Sequence, residues 1–214
     1  MTSHIRQNLG EYLRANIVAY FFVTLIFVIG VVIGALAVKT LPEEQKTELL
    51  GYLRIFFQGL SRGTEGIQEQ GLLYSVMLNN AKTIGLIWLL SFTVIGIPFV
   101  LFIIFTRGFV IGFAVGFLVN EYVVQGLLFA LVSVLPHNFF AVPAVVVTGV
   151  SAVSFSLALV RRRRHSRGGS LFYQAMGHTV LCAAMLVLML IASLTEIYIS
   201  PVFMKLVVSV LVKD

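Results

Sequence analysis

Long apolar stretches separated by shorter polar segments dominate the pattern of this chain. A membrane-spanning helix needs about 20 mostly apolar residues, and five stretches reach that length. A transmembrane barrel would instead show alternating segments of about 10 residues, which the sequence lacks. The pattern therefore predicts an all-α, polytopic helical membrane protein with about five transmembrane helices. The stretches are roughly residues 17–38, 81–105, 108–135, 139–160 and 171–194.

The polar segment over residues 39–82 carries a second pattern. Thr40-Leu41-Pro42-Glu43 predicts a helix start, with Thr40 as the N-cap and Glu43 at the capping-box position. Apolar residues then recur at three- and four-residue steps, which predicts an amphipathic helix. Its apolar face could pack on the membrane domain, lie on lipid or bind a partner. The candidate partner-binding residues on this face are Leu49, Leu53, Phe56, Phe57 and Leu60.

The run Arg161, Arg162, Arg163, Arg164 and the following Arg167 indicate the orientation of the chain. Such a cluster beside membrane spans stays on the cytoplasmic side, so the loop over residues 161–169 is predicted to be cytoplasmic. With five spans, the N-terminus is then cytoplasmic and the C-terminus is extracytoplasmic. The amphipathic helix is placed outside, and Arg107, between the second and third stretches, is placed inside.

Composition supports one membrane domain over residues 1–214. Hydrophobic residues make up 59% of the chain and charged residues 11%, which is far too apolar for a soluble domain. The formal net charge of +6 comes almost wholly from the arginine loop, so it reports topology and attraction to anionic lipid rather than binding of nucleic acid. A sole cysteine, Cys182, rules out an intramolecular disulfide and is expected to pack in the last span.

Glu121 interrupts the third apolar stretch and has two interpretations. A carboxylate at membrane depth is costly, so it could be a proton or ion relay in a small transporter or exporter permease. Alternatively, the helix ends near Tyr122 at the outer interface, and residues 123–135 form a short interfacial or re-entrant segment. We favour the second interpretation, under which Pro136-His137-Asn138 restarts the chain before the fourth span.

Two further signals concern the helices themselves. Gly96-Ile97-Pro98 predicts a kink in the second stretch, because proline removes a hydrogen bond. His137 is expected either to bind a partner or to cap a helix start, and His178 to hydrogen-bond within the last span. Small residues at four-residue steps let helix backbones approach closely in lipid, within one chain or across a homodimer. The predicted helix-packing residues are Gly30, Gly34, Gly108, Gly112 and Gly116.

Reactive groups at a recognisable spacing are missing from the sequence. It has no HExxH zinc motif, no GxSxG nucleophile and no phosphate-binding Walker loop. The four histidines are far apart along the chain and do not suggest one metal site. We therefore expect no enzymatic activity, no cofactor and no metal.

The sequence resembles the stage II sporulation protein M family of endospore-forming bacteria over essentially its whole length. The wider family often has Pro-His-Gly followed three residues later by Glu, where this chain has Asn138 and Ala141. Loss of that glutamate fits a scaffold better than a transporter. The resemblance rests on Tyr20-Phe21-Phe22-Val23, Gly30-Val31-Val32-Ile33-Gly34-Ala35, the helix over 50–59 with Phe56-Phe57, Thr106-Arg107-Gly108, Leu135-Pro136-His137-Asn138 and Val142-Pro143-Ala144.

This resemblance implies a non-catalytic subunit of the engulfment machinery in the mother-cell or septal membrane. Its partners would be the stage II sporulation proteins D, a lytic transglycosylase, and P, an amidase-endopeptidase. By recruiting them to the sporulation septum, the subunit would support septal wall thinning and forespore engulfment.

Overall fold

The computed structural model describes residues 16–62, 69–164 and 171–204, and of residues 56–62, 69–72 and 161–164 it describes the backbone alone. Every element within these ranges is helical, which confirms the all-α class. The helices are α1 (Ile17–Ala37, followed by the 3₁₀ turn Val38–Thr40), α2 (Glu43–Arg62), α3 (Glu69–Ser91), α4 (Gly96–Arg164) and α5 (Leu171–Leu194), which continues through the π-helical turn Thr195–Ile199 to Met204.

Helix α4 reverses direction at Val123, so its two halves lie side by side. Val123 has φ 47° and ψ −114°, which no helix contains. Three residues later, a Cβ on Gly126 would overlap the carbonyl oxygen of Leu118, whereas a continuous helix would separate these residues by about 12 Å. Further along, Gly149 lies against Ile104. Residues 96–122 therefore ascend, in the direction of α1, and residues 124–164 descend.

Inter-helix contacts define the remaining directions. Gly30 meets Phe105 and Gly116 meets Ala35, so α1 and the ascending half of α4 are parallel. Helix α5 is antiparallel to the descending half, and it is also antiparallel to α3. A common core joins α1, α3, both halves of α4 and α5, and its largest members include Val23, Ile84, Ile87, Ile104, Val150 and Met189.

Three helices within the described residues are long and apolar enough to cross a membrane. They cover Ile17–Thr40, Gly96–Val160 and Leu171–Met204. Their outward faces carry large exposed apolar side chains such as Phe21, Phe102 and Val187. The five separate membrane spans predicted from the sequence are therefore not confirmed. Helix α3 contains polar residues and is not among the three candidates, and the candidate Gly96–Val160 folds back on itself at Val123.

The predicted stretch 81–105 is wrong as a single span. Helix α3 ends at Ser91 and α4 begins at Gly96, so the chain turns inside an apolar run that hydropathy cannot divide. Gly96 is required there, since a Cβ would overlap the Leu90 carbonyl oxygen. Pro98 lies in the first turn of α4, where a missing backbone donor costs little, and so it does not kink a span.

The predicted break at Pro136-His137-Asn138 is also wrong, because α4 continues through it. Membrane helices tolerate internal proline, and Val123 is the residue with non-helical backbone dihedrals within α4, so the helix is regular through Pro136. The same helix runs on to Arg164, so Arg161–Arg164 belong to its last turn rather than to a loop. Arg167 lies outside the described residues.

Candidate functional site: a polar cavity beside a glycine seam

The ascending half of α4 meets α1 along a seam of glycines. A Cβ on Gly30 would overlap the Phe105 carbonyl oxygen, and a Cβ on Gly112 would overlap the Val31 carbonyl oxygen. Gly34 and Gly108 make equivalent backbone contacts, and Gly116 lies against Ala35. In lipid such close approach gains dispersion contacts that larger residues would prevent. The five glycines singled out from the sequence thus meet within one chain.

The opposite face of this half-helix lines a cavity of about 690 Å³. Helices α1, α3 and α5 and the descending half of α4 complete its wall. Several polar side chains project into this otherwise apolar space, which is unusual among membrane helices because each one is costly to remove from water. They include Asn79, Thr83, Arg107, His137, Asn138 and Glu196.

Arg107 is a half-buried cation in the cavity wall. It is half-buried in the middle of the ascending half, where the sequence had predicted a cytoplasmic loop. Its Nη2 donates a hydrogen bond to the Thr83 hydroxyl oxygen on α3. Within the described residues, no carboxylate lies within salt-bridge distance of this guanidinium; the ion pairs there are Lys46 with Glu43 and His137 with Glu196.

His137 closes the other end of the cavity. Its Nδ1 lies 3.0 Å from the Ala192 carbonyl oxygen and 3.2 Å from Glu196 Oε2, so the Nδ1 proton is donated toward both acceptors. Glu196 belongs to the π-helical turn Thr195–Ile199, which widens α5 and changes where its side chain is directed. His137 therefore ties two helices together inside the chain instead of capping a helix start.

A second polar cluster surrounds His178 and is fully enclosed. The Ser91 hydroxyl donates to the Trp88 carbonyl oxygen at 2.6 Å, so it accepts from His178 Nε2 at 2.8 Å. The other ring nitrogen, Nδ1, then accepts from the Ser151 hydroxyl at 2.7 Å. Ser156 donates to the Ser91 carbonyl oxygen at 2.7 Å. This cluster satisfies the backbone where α3 ends, which is a structural role.

Helix α2 lies at the end of the bundle where α4 reverses. Leu53 packs against a small core cluster that includes Leu118, Phe129 and Met204, and Leu49 is also half-buried. Tyr52 is 63% exposed and Ile55 is 69% exposed. The apolar face of α2 is therefore partly used within the chain. The side chains of Phe56, Phe57 and Leu60 lie outside the described residues.

The start of α2 differs from the sequence prediction. Thr40 donates its hydroxyl to the Ala37 carbonyl oxygen at 2.8 Å, so it closes the end of α1 and is not the N-cap of α2. The Lys46 backbone donates to the Pro42 carbonyl oxygen, which makes Pro42 the residue that precedes the helix and Glu43 its first residue. Lys46 Nζ donates to Glu43 Oε1 at 2.9 Å, and this bond raises the pKa of the lysine.

The predicted residues thus fall into separate places. The glycines share one seam and His137 lies on the cavity, whereas on α2 Leu53 packs against the bundle and Leu49 is half-buried. Glu121 is half-buried just before the reversal and accepts from Asn120 Nδ2 at 2.9 Å. Sequence reasoning missed Arg107 and Glu196 as cavity residues. An arginine inside an apolar run was the available signal for the first, whereas no local signal exists for the second.

These features define an all-helical membrane protein with an open cavity between its helices, lined by apolar residues and several polar side chains. A family model described as stage II sporulation protein M matches residues 23–201. The chain therefore belongs to the stage II sporulation protein M family, and it is a sporulation-related membrane protein. Comparison with curated proteins and with solved structures returned no match.

Proposed function

We propose that this protein is a non-catalytic membrane scaffold that recruits peptidoglycan hydrolases to the sporulation septum, where they thin the septal wall and allow forespore engulfment. By family resemblance, the recruited enzymes are the stage II sporulation proteins D and P. The observation that carries the proposal is α2, a helix outside the candidate spans that turns apolar side chains away from the bundle.

The proposed orientation has five passes, formed by α1, α3, the two halves of α4 and α5. Helix α2 packs beside the reversal at Val123, while Arg161–Arg164 end the descending half, 41 residues later at Arg164. At about 1.5 Å per residue these features are separated by the height of the bundle. Arginine-rich ends stay in the cytoplasm, so α2 faces the wall, the side on which peptidoglycan lies.

The docking surface we propose is the outward side of α2, centred on Tyr52 and Ile55. Leu53 packs on the bundle and Leu49 is half-buried, so their substitution would confuse loss of docking with loss of folding. Tyrosine and large aliphatic side chains contribute strongly to interfaces because they bury large apolar areas with few rotatable bonds. A partner would cover both side chains without disturbing the core cluster beneath Leu53.

The test replaces Tyr52 and Ile55 together with serine in the full chain and measures recovery of the two hydrolases with it from membranes of sporulating cells. We expect at least a tenfold loss of recovery, since two buried apolar anchors contribute about 1.5–3 kcal/mol each. Gln45→Ser is the matched control, because Gln45 is an exposed polar residue on the same helix. Unchanged recovery at equal membrane levels of the double variant would contradict the proposed surface.

A further inference from the structure

The side of α2 that faces away from the bundle carries an ordered row of exposed residues. Its members are separated by steps of three and four residues, which places them on one face of the helix. On the opposite face, Leu49 and Leu53 are half-buried. Beside the apolar pair of the docking surface, the row adds two carboxylates and a glycine. The row consists of Glu44, Glu48, Gly51, Tyr52 and Ile55.

The two carboxylates give this row a negative charge. Glu43, just outside the row, is paired with Lys46 at 2.9 Å, whereas no ion pair within the described residues engages Glu44 or Glu48. Among the described side chains of α2 the exposed cation is Arg54. At 3.6 residues per turn it lies about 80–120° around the helix from the two carboxylates. The row therefore favours a basic side chain on the surface that covers it.

Tyr52 gives a basic side chain a second reason to bind at this point. Its hydroxyl donates to Glu48 Oε1 at 3.3 Å, so the ring lies beside the carboxylate. A carboxylate accepts several hydrogen bonds, and one donor leaves capacity for a guanidinium or ammonium group. The same cation can contact the exposed ring, because aromatic faces attract positive charge. Glu48 and Tyr52 together thus suit an arginine or a lysine.

Gly51 leaves a gap in the middle of the row. A Cβ at this position would meet nothing within 4 Å, and the backbone there is helical, so no contact inside the described chain requires a glycine. Glycine is also less favourable than alanine within a helix. An outward glycine does allow another backbone to approach closely, as the seam glycines do between α1 and α4. The gap therefore fits a partner segment that packs tightly on α2.

A membrane surface is a poor occupant for this row. Anionic headgroups attract basic segments, and Glu44 and Glu48 would be repelled by them. A helix that binds at the membrane interface also turns its apolar face to lipid, whereas on the apolar face of α2 Leu53 packs against the bundle. The charges and the gap together favour a segment of protein.

From the carboxylates, the ring and the gap we infer that the partner docks on α2 through a basic amphipathic helix. Its arginine or lysine binds between Glu48 and Tyr52, and its backbone packs over Gly51 beside Ile55. Glu44, one turn earlier, faces a second basic position of the same helix. This contact rests on the proposed docking at α2, and it adds the chemistry that a partner must present there.

The first test reverses one charge in the full chain. Glu48→Lys should lower recovery of the two hydrolases from membranes of sporulating cells by about tenfold, because the partner's cation would meet a like charge. Glu48→Gln should lower it by only about threefold, since it removes one partly exposed ion pair. Arg54→Gln is the matched control, because Arg54 is an exposed charge on the same helix, and it should not lower recovery.

The second test separates docking from folding. Gly51→Ala should raise the melting temperature of the purified chain, because alanine favours the helix. It should also lower recovery of the hydrolases by about tenfold, because the added methyl group fills the gap. A structural role alone would not move the two readouts in opposite directions. Gly85→Ala is the matched control, since Gly85 is also exposed, helical and without neighbours within 4 Å of its Cβ position; it should keep wild-type recovery.

Failure of the basic helix and failure of the docking surface give different results. If the Tyr52 and Ile55 double serine variant loses recovery but Glu48→Lys and Gly51→Ala do not, docking at α2 stands and the basic helix is wrong. If none of these variants loses recovery, the docking surface itself is wrong. A photo-crosslinker at position 55 that captures a second copy of this chain instead of a hydrolase would assign the row to a dimer and overturn the basic helix.

Discussion

The two faces of residues 96–122 hold their neighbours by different means. Toward α1, the contacts are backbone against backbone, at Gly108, Gly112 and Gly116. Toward α3, the Arg107 side chain hydrogen-bonds to Thr83. Beyond that contact, side-chain hydrogen bonds join α5 to α3 and to the descending half of α4: Asn80 to Ser193, Trp88 to Thr179, Ser91 to His178 and Ser151 to His178.

The difference explains why the cavity lies on one side of this half-helix and not on the other. Apolar burial gives little drive for association in lipid, so helices use either close fit or polar contacts. A seam of glycines leaves no space, and therefore it specifies one arrangement and cannot admit a ligand. The polar side keeps its helices further apart, which leaves the cavity at Arg107. A fixed side and an open side are thus built on one helix.

The largest effect is expected from breaking the close-fitting side. In Gly112→Leu the new Cβ would meet the carbonyl oxygen, carbonyl carbon and Cα of Val31, all of them backbone atoms that cannot rotate away. Overpacking costs about 1–3 kcal/mol where side chains can adjust, so we expect more than that here. The measurement is the amount of folded protein extracted from membranes, which should fall to near background.

Gly177→Leu is the control for that substitution. Gly177 lies on α5, and a Cβ there would meet nothing within 4 Å. It should extract at the wild-type level, since exposed substitutions usually change stability by less than about 0.5 kcal/mol. Normal extraction of Gly112→Leu would show that α1 and α4 do not approach as closely as described.

An intermediate effect is expected on the hydrogen-bonded side. His178→Leu removes the bonds to Ser91 and Ser151 and leaves two buried hydroxyls that can turn to carbonyl oxygens of their own helices. Inter-helix hydrogen bonds in membranes contribute about 0.6 kcal/mol on average and at most about 1.7 kcal/mol, so the total loss should be about 1–2 kcal/mol. Denaturant unfolding in mixed micelles measures it.

Val180→Ala is the matched control, because Val180 is on the same helix and 61% exposed. It should unfold close to the wild-type midpoint. If His178→Leu were as damaging as Gly112→Leu, the two sides of the bundle would not differ in tolerance, and the contrast between them would fail.

The sequence predicted the close packing at the glycines but not the side-chain hydrogen bonds between the other helices. Glycines at four-residue steps report close packing through local spacing alone, so the seam could be foreseen, although not its location within one chain. The partners of His178 could not, because Ser91 is 87 residues away from it along the chain. Hydropathy also fails where a turn is itself apolar, and therefore it did not divide the run at residues 92–95.

At Pro136 the error runs the other way, because the sequence predicted a helix break where the helix continues. In a soluble helix proline is a strong reason to end the element, and the sequence predicted a break there. Inside a bundle, neighbouring helices and side chains take over the freed groups, so the helix continues. The true reversal occurs at Val123, which confirms the helix end predicted near Tyr122. The short interfacial or re-entrant segment predicted over residues 123–135 is wrong, because residues 124–164 form one descending helix.

The smallest effect concerns this reversal, which gives residues 96–122 a second packed surface. Val123 has φ 47° and ψ −114°, a backbone conformation that favours glycine, so Val123→Gly should relieve strain and stabilise the protein by about 1 kcal/mol. Val124→Gly is the matched control: both side chains are 67% exposed, but residue 124 is helical, where glycine costs about 1 kcal/mol. Because the lost apolar contact is alike in both, the two unfolding midpoints should move in opposite directions. If both variants lost the same stability, the backbone at Val123 would not be strained. The two packed surfaces of residues 96–122 would then not depend on a strained reversal.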